Sequence, residues 1–309
     1  MQQSLAFAFP GQGSQHLSML AELAESHPVI QATFAEASEV LGYDLWALTQ
    51  NGPEADLNQT DRTQPALLTA GVALWRLWLE QGGATPSVMA GHSLGEYTAL
   101  VCAGAIDFKD AVNLVKLRGE FMQQAVPAGT GAMAAVLGLA DDAIEAACAA
   151  SAGDEVVSAV NFNCPGQVVI AGNKDAVERA SAACKEAGAK RVVPLPVSVP
   201  SHCALMRPAA EQMQQALANI DIRMPEIKVV QNFTARSPAD VDALVQNLLA
   251  QLYSPVLWTD SVQGMVAEGI ETVIECGPGK VLSGLNKKVH RPLNVVAINE
   301  PAGLEKALS

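Results

Sequence analysis

The chain has 309 residues, half of them hydrophobic and 17% charged, and its formal net charge is −13. This length is sufficient for one large domain or two smaller ones. The excess of acidic residues argues against a nucleic-acid-binding protein, which would need clustered Lys and Arg. No stretch approaches the roughly 18 consecutive apolar residues of a membrane-spanning helix, and the first ten residues lack the features of a signal peptide.

The six cysteines are scattered along the chain, and no two of them form a Cys-x-x-Cys pair. Such cysteines are more often buried thiols than metal ligands or disulfides. We therefore expect a cytoplasmic protein with no metal site and no membrane partner. The cysteines are Cys102, Cys148, Cys164, Cys184, Cys203 and Cys276.

The first part of the chain alternates between strand and helix patterns. An apolar strand is predicted over 5–9, followed by a glycine-rich loop and a helical pattern whose first helix would contain His16. Apolar residues at helical spacing over 63–81 predict a helix with a buried face. A short buried strand over 87–90 then enters a glycine turn and a helix over 96–105, and a further helix is predicted over 107–124.

The stretch 128–199 has its own pattern and is predicted to be an inserted subdomain. Its order is strand, helix, strand, strand, helix, strand, which is the ferredoxin-like pattern. Strands and helices alternate again in 200–309, which favours a mainly parallel sheet. We therefore predict an α/β fold with a large domain made of 1–127 and 200–309. The predicted elements are strands 132–139, 156–162, 168–171, 191–197, 227–231, 272–276 and 295–298, and helices 141–151, 174–187, 205–220, 241–252, 255–264 and 281–289.

The best candidate for a nucleophile is Ser93, in the segment Gly91-His92-Ser93-Leu94-Gly95. Gly-x-Ser-x-Gly between a strand and a helix is the nucleophile-elbow pattern, which exposes the serine hydroxyl at a tight turn. The free N–H groups at the start of the following helix can then stabilise an oxyanion. The alternative is a serine that only caps the helix.

A serine nucleophile needs a base, and five histidines are available. His202 is favoured because it lies where the inserted subdomain rejoins the large domain, and catalytic groups often lie at such junctions. His92, next to Ser93, should point away from it and shape the pocket floor. A structural role for His202 is the alternative. His27 and His290 are expected at the surface.

A serine hydrolase would also place an acidic residue between the serine and the histidine in the chain. Asp154 and Asp175 occupy that interval, but both lie in the small subdomain and neither follows a strand of the large sheet. A neutral oxygen could orient the histidine instead, because fixing the tautomer requires only an acceptor.

Five motifs in the same order closely resemble the malonyl-CoA:acyl carrier protein transacylases of bacterial type II fatty-acid synthesis. The resemblance extends over essentially the whole chain. The motifs are Phe9-Pro10-Gly11-Gln12-Gly13-Ser14-Gln15, Gly91-His92-Ser93-Leu94-Gly95-Glu96, Leu117-Arg118-Gly119, Val199-Pro200-Ser201-His202 and Glu275-Cys276-Gly277-Pro278-Gly279. Cys276 departs from the pattern, since an apolar residue is common at that position.

The resemblance implies a role for individual residues. Ser93 would carry the acyl group and His202 would be its base, oriented by the backbone carbonyl of Gln251. The N–H groups of Gln12 and Leu94 would form the oxyanion hole. A further residue, Arg118, would pair with the free carboxylate of the malonyl group, for which the planar guanidinium is well suited.

The resemblance also implies the fold and the reaction. We expect an α/β-hydrolase-like core and a monomer that transfers malonyl from malonyl-CoA to acyl carrier protein by a ping-pong route. The CoA thioester is a substrate, and no further cofactor is expected. Carrier docking would use local basic patches, for which the candidates are Lys185, Lys190, Arg191, Lys287, Lys288 and Arg291.

Two alternative activities share the serine and the histidine. One is an esterase or thioesterase, against which Arg118 and the missing triad acid argue. The other is an acyltransferase for a different extender unit such as methylmalonyl. Ser201, before His202, indicates no additional methyl pocket, so malonyl is favoured. A binding scaffold without catalysis would not need Ser93 and His202 together.

Overall fold

The computed structural model describes residues 4–197 and 199–309, and its strands form two separate sheets. In this part of the chain the strands are β1 (Leu5–Phe9), β2 (Val88–Gly91), β3 (Gly131–Leu137), β4 (Val157–Cys164), β5 (Gln167–Asn173), β6 (Arg191–Pro194), β7 (Lys228–Val230), β8 (Thr272–Glu275) and β9 (Asn294–Ala297).

The helices pack around these sheets. They are α1 (Ala21–Ser26), α2 (Pro28–Leu41), α3 (Leu45–Asn51), α4 (Glu54–Leu57), α5 (Thr60–Glu80), α6 (Leu94–Cys102), α7 (Phe108–Gln124), α8 (Asp141–Ala152), α9 (Lys174–Glu186), α10 (Arg207–Leu217), α11 (Val241–Tyr253), α12 (Trp258–Ala267), α13 (Val281–Val289) and α14 (Pro301–Leu308). Within the described ranges, none is long and apolar enough to cross a membrane.

The larger sheet is parallel and has the order β7-β2-β1-β8-β9. Its central strand β1 is buried on both faces, as is typical of a parallel sheet covered by helices. Phe7 packs edge-on against Trp75 and Trp78 of α5, with ring centroids 5.2 and 5.3 Å apart. Because strands of a parallel sheet end at the same edge, the loops after β1, β2 and β7 lie side by side.

The smaller sheet is antiparallel and has the order β4-β5-β3-β6. Side chains alternate between its faces, so Val168 and Ile170 of β5 pack under α8 and α9, while Val169 and Ala171 on the other face pack with Cys203. Backbone hydrogen bonds between β4 and Val256 join this strand to the segment before α12.

The mixed α/β prediction with a parallel sheet is confirmed, and the predicted elements agree with the structure to within a few residues. The prediction that His16 lies in the first helix is wrong, because His16 lies in the loop before α1 and is exposed. Residues 21–57 form four short helices because Pro28, Gly42 and Pro53 interrupt the helical pattern.

Candidate active site

Ser93 lies in the tight turn between β2 and α6. Its backbone has φ 52° and ψ −109°, a region that non-glycine residues seldom adopt. The turn closes because Gly91 packs directly on the backbone of Gly95, where a Cβ atom would overlap. Such strain is typical of a nucleophile elbow, and it projects the serine side chain away from the sheet.

Asn232, which follows β7, holds this turn from the side. Its Nδ2 donates to the carbonyl of Gly91 at 2.6 Å, and its Oδ1 accepts from the backbone N–H of Ser93 at 2.7 Å. One side chain therefore bridges the last residue of the strand and the serine itself. Asn232 was not among the residues predicted from the sequence, although its position after a strand of the parallel sheet points to such a site.

His202 contacts Ser93 on one side and Gln251 on the other. Its Nε2 lies 2.8 Å from Ser93 Oγ, and its Nδ1 lies 2.6 Å from the backbone carbonyl of Gln251. Because a carbonyl only accepts, Nδ1 carries the proton and Nε2 is free to accept the serine proton. Burial, and then the charge of Arg118, lower the pKa of His202 to about 3, so the ring is neutral at pH 7.

Arg118, from α7, reaches the same site and is only 1% exposed. Its Nη1 donates to Gln64 Oε1 at 2.7 Å, and its Nη2 donates to Gln251 Oε1 at 3.0 Å and to Ser93 Oγ at 3.2 Å. The guanidinium also lies over the ring of Tyr97, 5.4 Å from its centroid. Among the described residues no carboxylate forms an ion pair with Arg118, and the atoms that accept its hydrogen bonds are neutral oxygens.

The loop after β1 lies against the elbow. A Cβ atom on Gly11 would be 2.5 Å from the carbonyl oxygen of His92, so only glycine allows this approach. Gln12 and Leu94 consequently line the same cavity as Ser93. Leu94 is the first residue of α6, so its N–H has no acceptor within the helix.

His92 is not placed to act as the base. Its Nε2 donates to Asn163 Oδ1 at 2.8 Å, and its ring packs against Trp258 with centroids 5.6 Å apart. Burial lowers its pKa, so it is neutral. His92 therefore joins the elbow to β4 of the smaller sheet and lines the cavity, in line with the predicted role at the pocket floor.

The cavity has a volume of about 280 Å³ and lies between the two sheets. The smaller sheet contributes apolar side chains such as Met133 and Val169, and the start of α13 contributes Leu282 and half-exposed Val281. No cluster of three or more potential metal ligands occurs in residues 4–197 and 199–309. The site combines a serine, a neutral histidine and a buried cation, which suits acyl transfer from a carboxylated group.

A family model described as an acyl transferase domain matches residues 6–298. Malonyl CoA-acyl carrier protein transacylases from Escherichia coli K12 and Bacillus subtilis are 61% and 47% identical, and the alignments cover 98% of this chain and 98% and 96% of the relatives.

Solved structures show the same similarity. An acyl carrier protein S-malonyltransferase from Vibrio cholerae is 61% identical with a TM-score of 0.97, and the match covers 98% of this chain and 99% of that one. A malonyl-transacylase in complex with a type II polyketide synthase acyl-carrier protein is 56% identical, with a TM-score of 0.98 and 99% of both chains covered.

Proposed function

The chain belongs to the acyl transferase family, and we propose that it transfers malonyl from malonyl-CoA to acyl carrier protein through an ester on Ser93. The observation that carries this proposal is the continuous chain of contacts from Gln251 through His202 to Ser93, with Arg118 also donating to the oxygen of the nucleophile. Gln251, His202 and Ser93 together supply an activated nucleophile. Arg118 supplies a positive charge that the carboxylate of a carboxylated acyl group can pair with.

In the first half-reaction Ser93 Oγ attacks the thioester carbonyl carbon while His202 Nε2 takes the hydroxyl proton. The oxygen of the tetrahedral intermediate receives hydrogen bonds from the N–H groups of Gln12 and Leu94, which we propose as the oxyanion hole. The carbon–sulfur bond then breaks, and the CoA thiolate leaves with the proton that His202 had taken. The carbonyl of Gln251 stabilises the imidazolium that forms between these steps.

Arg118 is proposed to bind the free carboxylate of the malonyl group. Of its three hydrogen bonds, the one to Ser93 Oγ is the longest at 3.2 Å, and it is the one that an acylated serine would give up. A second N–H on Nη1 is not used by the bond to Gln64. Both terminal nitrogens can therefore donate to the two carboxylate oxygens in the parallel geometry that arginine prefers.

In the second half-reaction the phosphopantetheine thiol of the carrier protein gives its proton to His202 and attacks the serine ester. The bond between the acyl carbon and Ser93 Oγ breaks, and the serine recovers the proton. Every proton is returned within the cycle, so these residues need no additional cofactor. The product is a malonyl thioester ready for fatty-acid synthesis.

The proposal also includes a more specific description of the two parts of the fold and of the cellular location. The order β4-β5-β3-β6 and the succession of strand, helix, strand, strand, helix, strand support a ferredoxin-like subdomain over 128–199. An elbow at the end of a parallel strand supports an α/β-hydrolase-like description of 1–127 and 200–309, of which residues 1–3 lie outside the described part. Six buried cysteines that remain free thiols support a reducing, cytoplasmic location.

Intact mass spectrometry after mixing with malonyl-CoA tests the proposed intermediate. We expect a single malonyl adduct in the wild-type chain, lost on addition of holo carrier protein and not formed by Ser93→Ala. A hydrolase would instead release malonate continuously and accumulate CoA without carrier protein. An adduct that persists in Ser93→Ala would refute the assignment of the nucleophile.

A further inference from the structure

Glu96 is a buried carboxylate that the proposed reaction does not use. It lies in the first turn of α6, three residues after Ser93, and has 0% exposure. Its Oε1 accepts from Gln231 Nε2 at 3.0 Å, and its Oε2 accepts from the backbone N–H of Asn232 at 2.8 Å and from Gln251 Nε2 at 2.9 Å. Three N–H donors directed at one carboxyl group favour its ionised form and partly offset the cost of burying the charge.

The contact with Gln251 determines which way its side-chain amide points. A carboxylate can only accept, so the Nε2 of Gln251 must face Glu96, and the same nitrogen also donates to the carbonyl of Ser93 at 3.0 Å. The amide oxygen is thereby directed at Arg118, which can only donate. If the Gln251 amide were rotated by 180°, its NH₂ group would face the N–H groups of Arg118 and its oxygen would face the carboxylate of Glu96. Neither pair could form a hydrogen bond.

We propose that Glu96 is a positioning residue that sets the preference for a carboxylated acyl group, because it orients the Gln251 amide and through it the guanidinium of Arg118. This inference rests on the proposed role of Arg118 in binding malonyl. In this proposal Glu96 orients Arg118, the group that binds the acyl carboxylate, although the neutral amide of Gln251 lies between the two side chains. His202 is held by the backbone of Gln251 and is less dependent on Glu96.

The contacts of Glu96 oppose the cost of burying its charge. Burial raises its pKa to about 7, while its hydrogen bonds and the charge of Arg118 act in the opposite direction. A direct ion pair with Arg118 would occupy the nitrogens that the substrate carboxylate needs. Placing Gln251 between the two ions leaves Arg118 oriented but not neutralised by contact.

The experiment compares two reactions of each variant. One is malonyl transfer to holo carrier protein, measured as kcat/KM. The other is the modification of Ser93 by phenylmethylsulfonyl fluoride, an uncharged reagent that needs Ser93 and His202 but not Arg118. A variant that loses only positioning should change the first reaction, whereas general damage to the fold should change both.

Glu96→Leu, which removes every acceptor, should lower malonyl transfer roughly 30-fold and leave the sulfonyl fluoride rate within about threefold. Glu96→Gln keeps one oxygen for Gln251 and should remain within about fivefold of wild type in both reactions. The Gln251→Leu variant has already lost the amide, so adding Glu96→Leu to it should lower kcat/KM for malonyl transfer by less than about threefold further. Should Glu96→Leu not fold, Glu96→Asp keeps the charge but shortens the reach, and malonyl transfer should fall about tenfold.

Glu275 offers a matched control, since it is also fully buried and accepts from two backbone N–H groups, those of Leu282 and Ser283. Glu275→Gln should lower thermal stability without changing the ratio of the two rates. Equal losses in both reactions for Glu96→Leu, or losses that multiply with Gln251→Leu, would overturn the proposal. Malonylation of Ser93 by mass spectrometry is measured in parallel, so a failure of the proposed function itself would be seen separately as a missing adduct.

Discussion

Replacing Arg118 with methionine separates acyl recognition from nucleophile activation. Methionine retains an unbranched apolar stem, although a shorter one, and removes the charge together with three hydrogen bonds, to Gln64, Gln251 and Ser93. The positions of Ser93 and His202 depend on other contacts, with Asn232 and the Gln251 backbone. The substitution should therefore affect malonyl transfer far more than the reactivity of the serine.

The magnitude follows from the burial of the site. In the Arg118→Met variant, a bound malonyl carboxylate would be a buried charge without a partner, and breaking a buried ion pair in this way costs about 3–5 kcal/mol. That corresponds to a loss of roughly 10² to 10⁴ in kcat/KM for malonyl-CoA. An acetyl group has no charge to satisfy, so acetyl-CoA should be transferred at an equal or higher rate.

The same substitution should change the pH dependence of the serine. The charge of Arg118 is the second cause, after burial, of the lowered pKa of His202. His202 accepts a proton only when neutral, so reactivity falls as the pH drops through this pKa. Without Arg118 the pKa rises, and the acidic limb of the profile should move to higher pH.

The assay measures malonyl and acetyl transfer to carrier protein and, across pH 3–8, the rate of Ser93 modification by phenylmethylsulfonyl fluoride. Circular dichroism at each pH identifies the range in which the chain stays folded. Equal losses for malonyl and acetyl would refute the assignment of Arg118 to the carboxylate. An acidic limb that stays in place or moves to lower pH would refute the electrostatic coupling to His202.

Two further predictions concern stability and docking. Burial raises the pKa of Glu96 from 4.5 to about 7, so its contribution to stability is complete below pH 4.5 and is lost as the pH rises through 7. Relative to Glu96→Gln, the wild-type free energy of unfolding in urea should therefore fall by roughly 2–3 kcal/mol between pH 5 and 8. Lys288 is exposed beside Gln167 at the cavity, so Lys288→Glu should raise the KM for an acidic carrier protein and leave the KM for malonyl-CoA unchanged.

Local features of this fold could be predicted because they depend on neighbouring residues. The turn at Ser93 needs small residues at Gly91 and Gly95 between an apolar strand and a helix, and all of these lie within a few positions of one another. The smaller sheet was predicted for the same reason, because segments with the hydrophobic pattern of a strand alternate with segments that have the pattern of a helix over 128–199. The C-terminal helix α14 was not predicted, because 301–308 has only one fully buried residue, Leu304.

The contacts that complete the site are long-range and were largely missed. Asn232 is 139 residues from the N–H of Ser93 that it binds, and Gln64 is 54 residues from Arg118. Residue type alone does not identify such partners, because they depend on the strand order, which places β7 next to β2. Gln251 was assigned from the family resemblance, since nothing in its local sequence distinguishes its carbonyl from those of its neighbours in α11.

The electrostatic arrangement explains why an acidic chain keeps a cation buried without an ion pair. Every protein group that Arg118 contacts by hydrogen bond is a neutral oxygen, from Gln64, Gln251 or Ser93. A glutamate at either glutamine position would neutralise the guanidinium and compete with the acyl carboxylate. The cost of a cation that the protein itself leaves incompletely paired is therefore a condition for selectivity, because only a ligand that brings its own negative charge completes the pair.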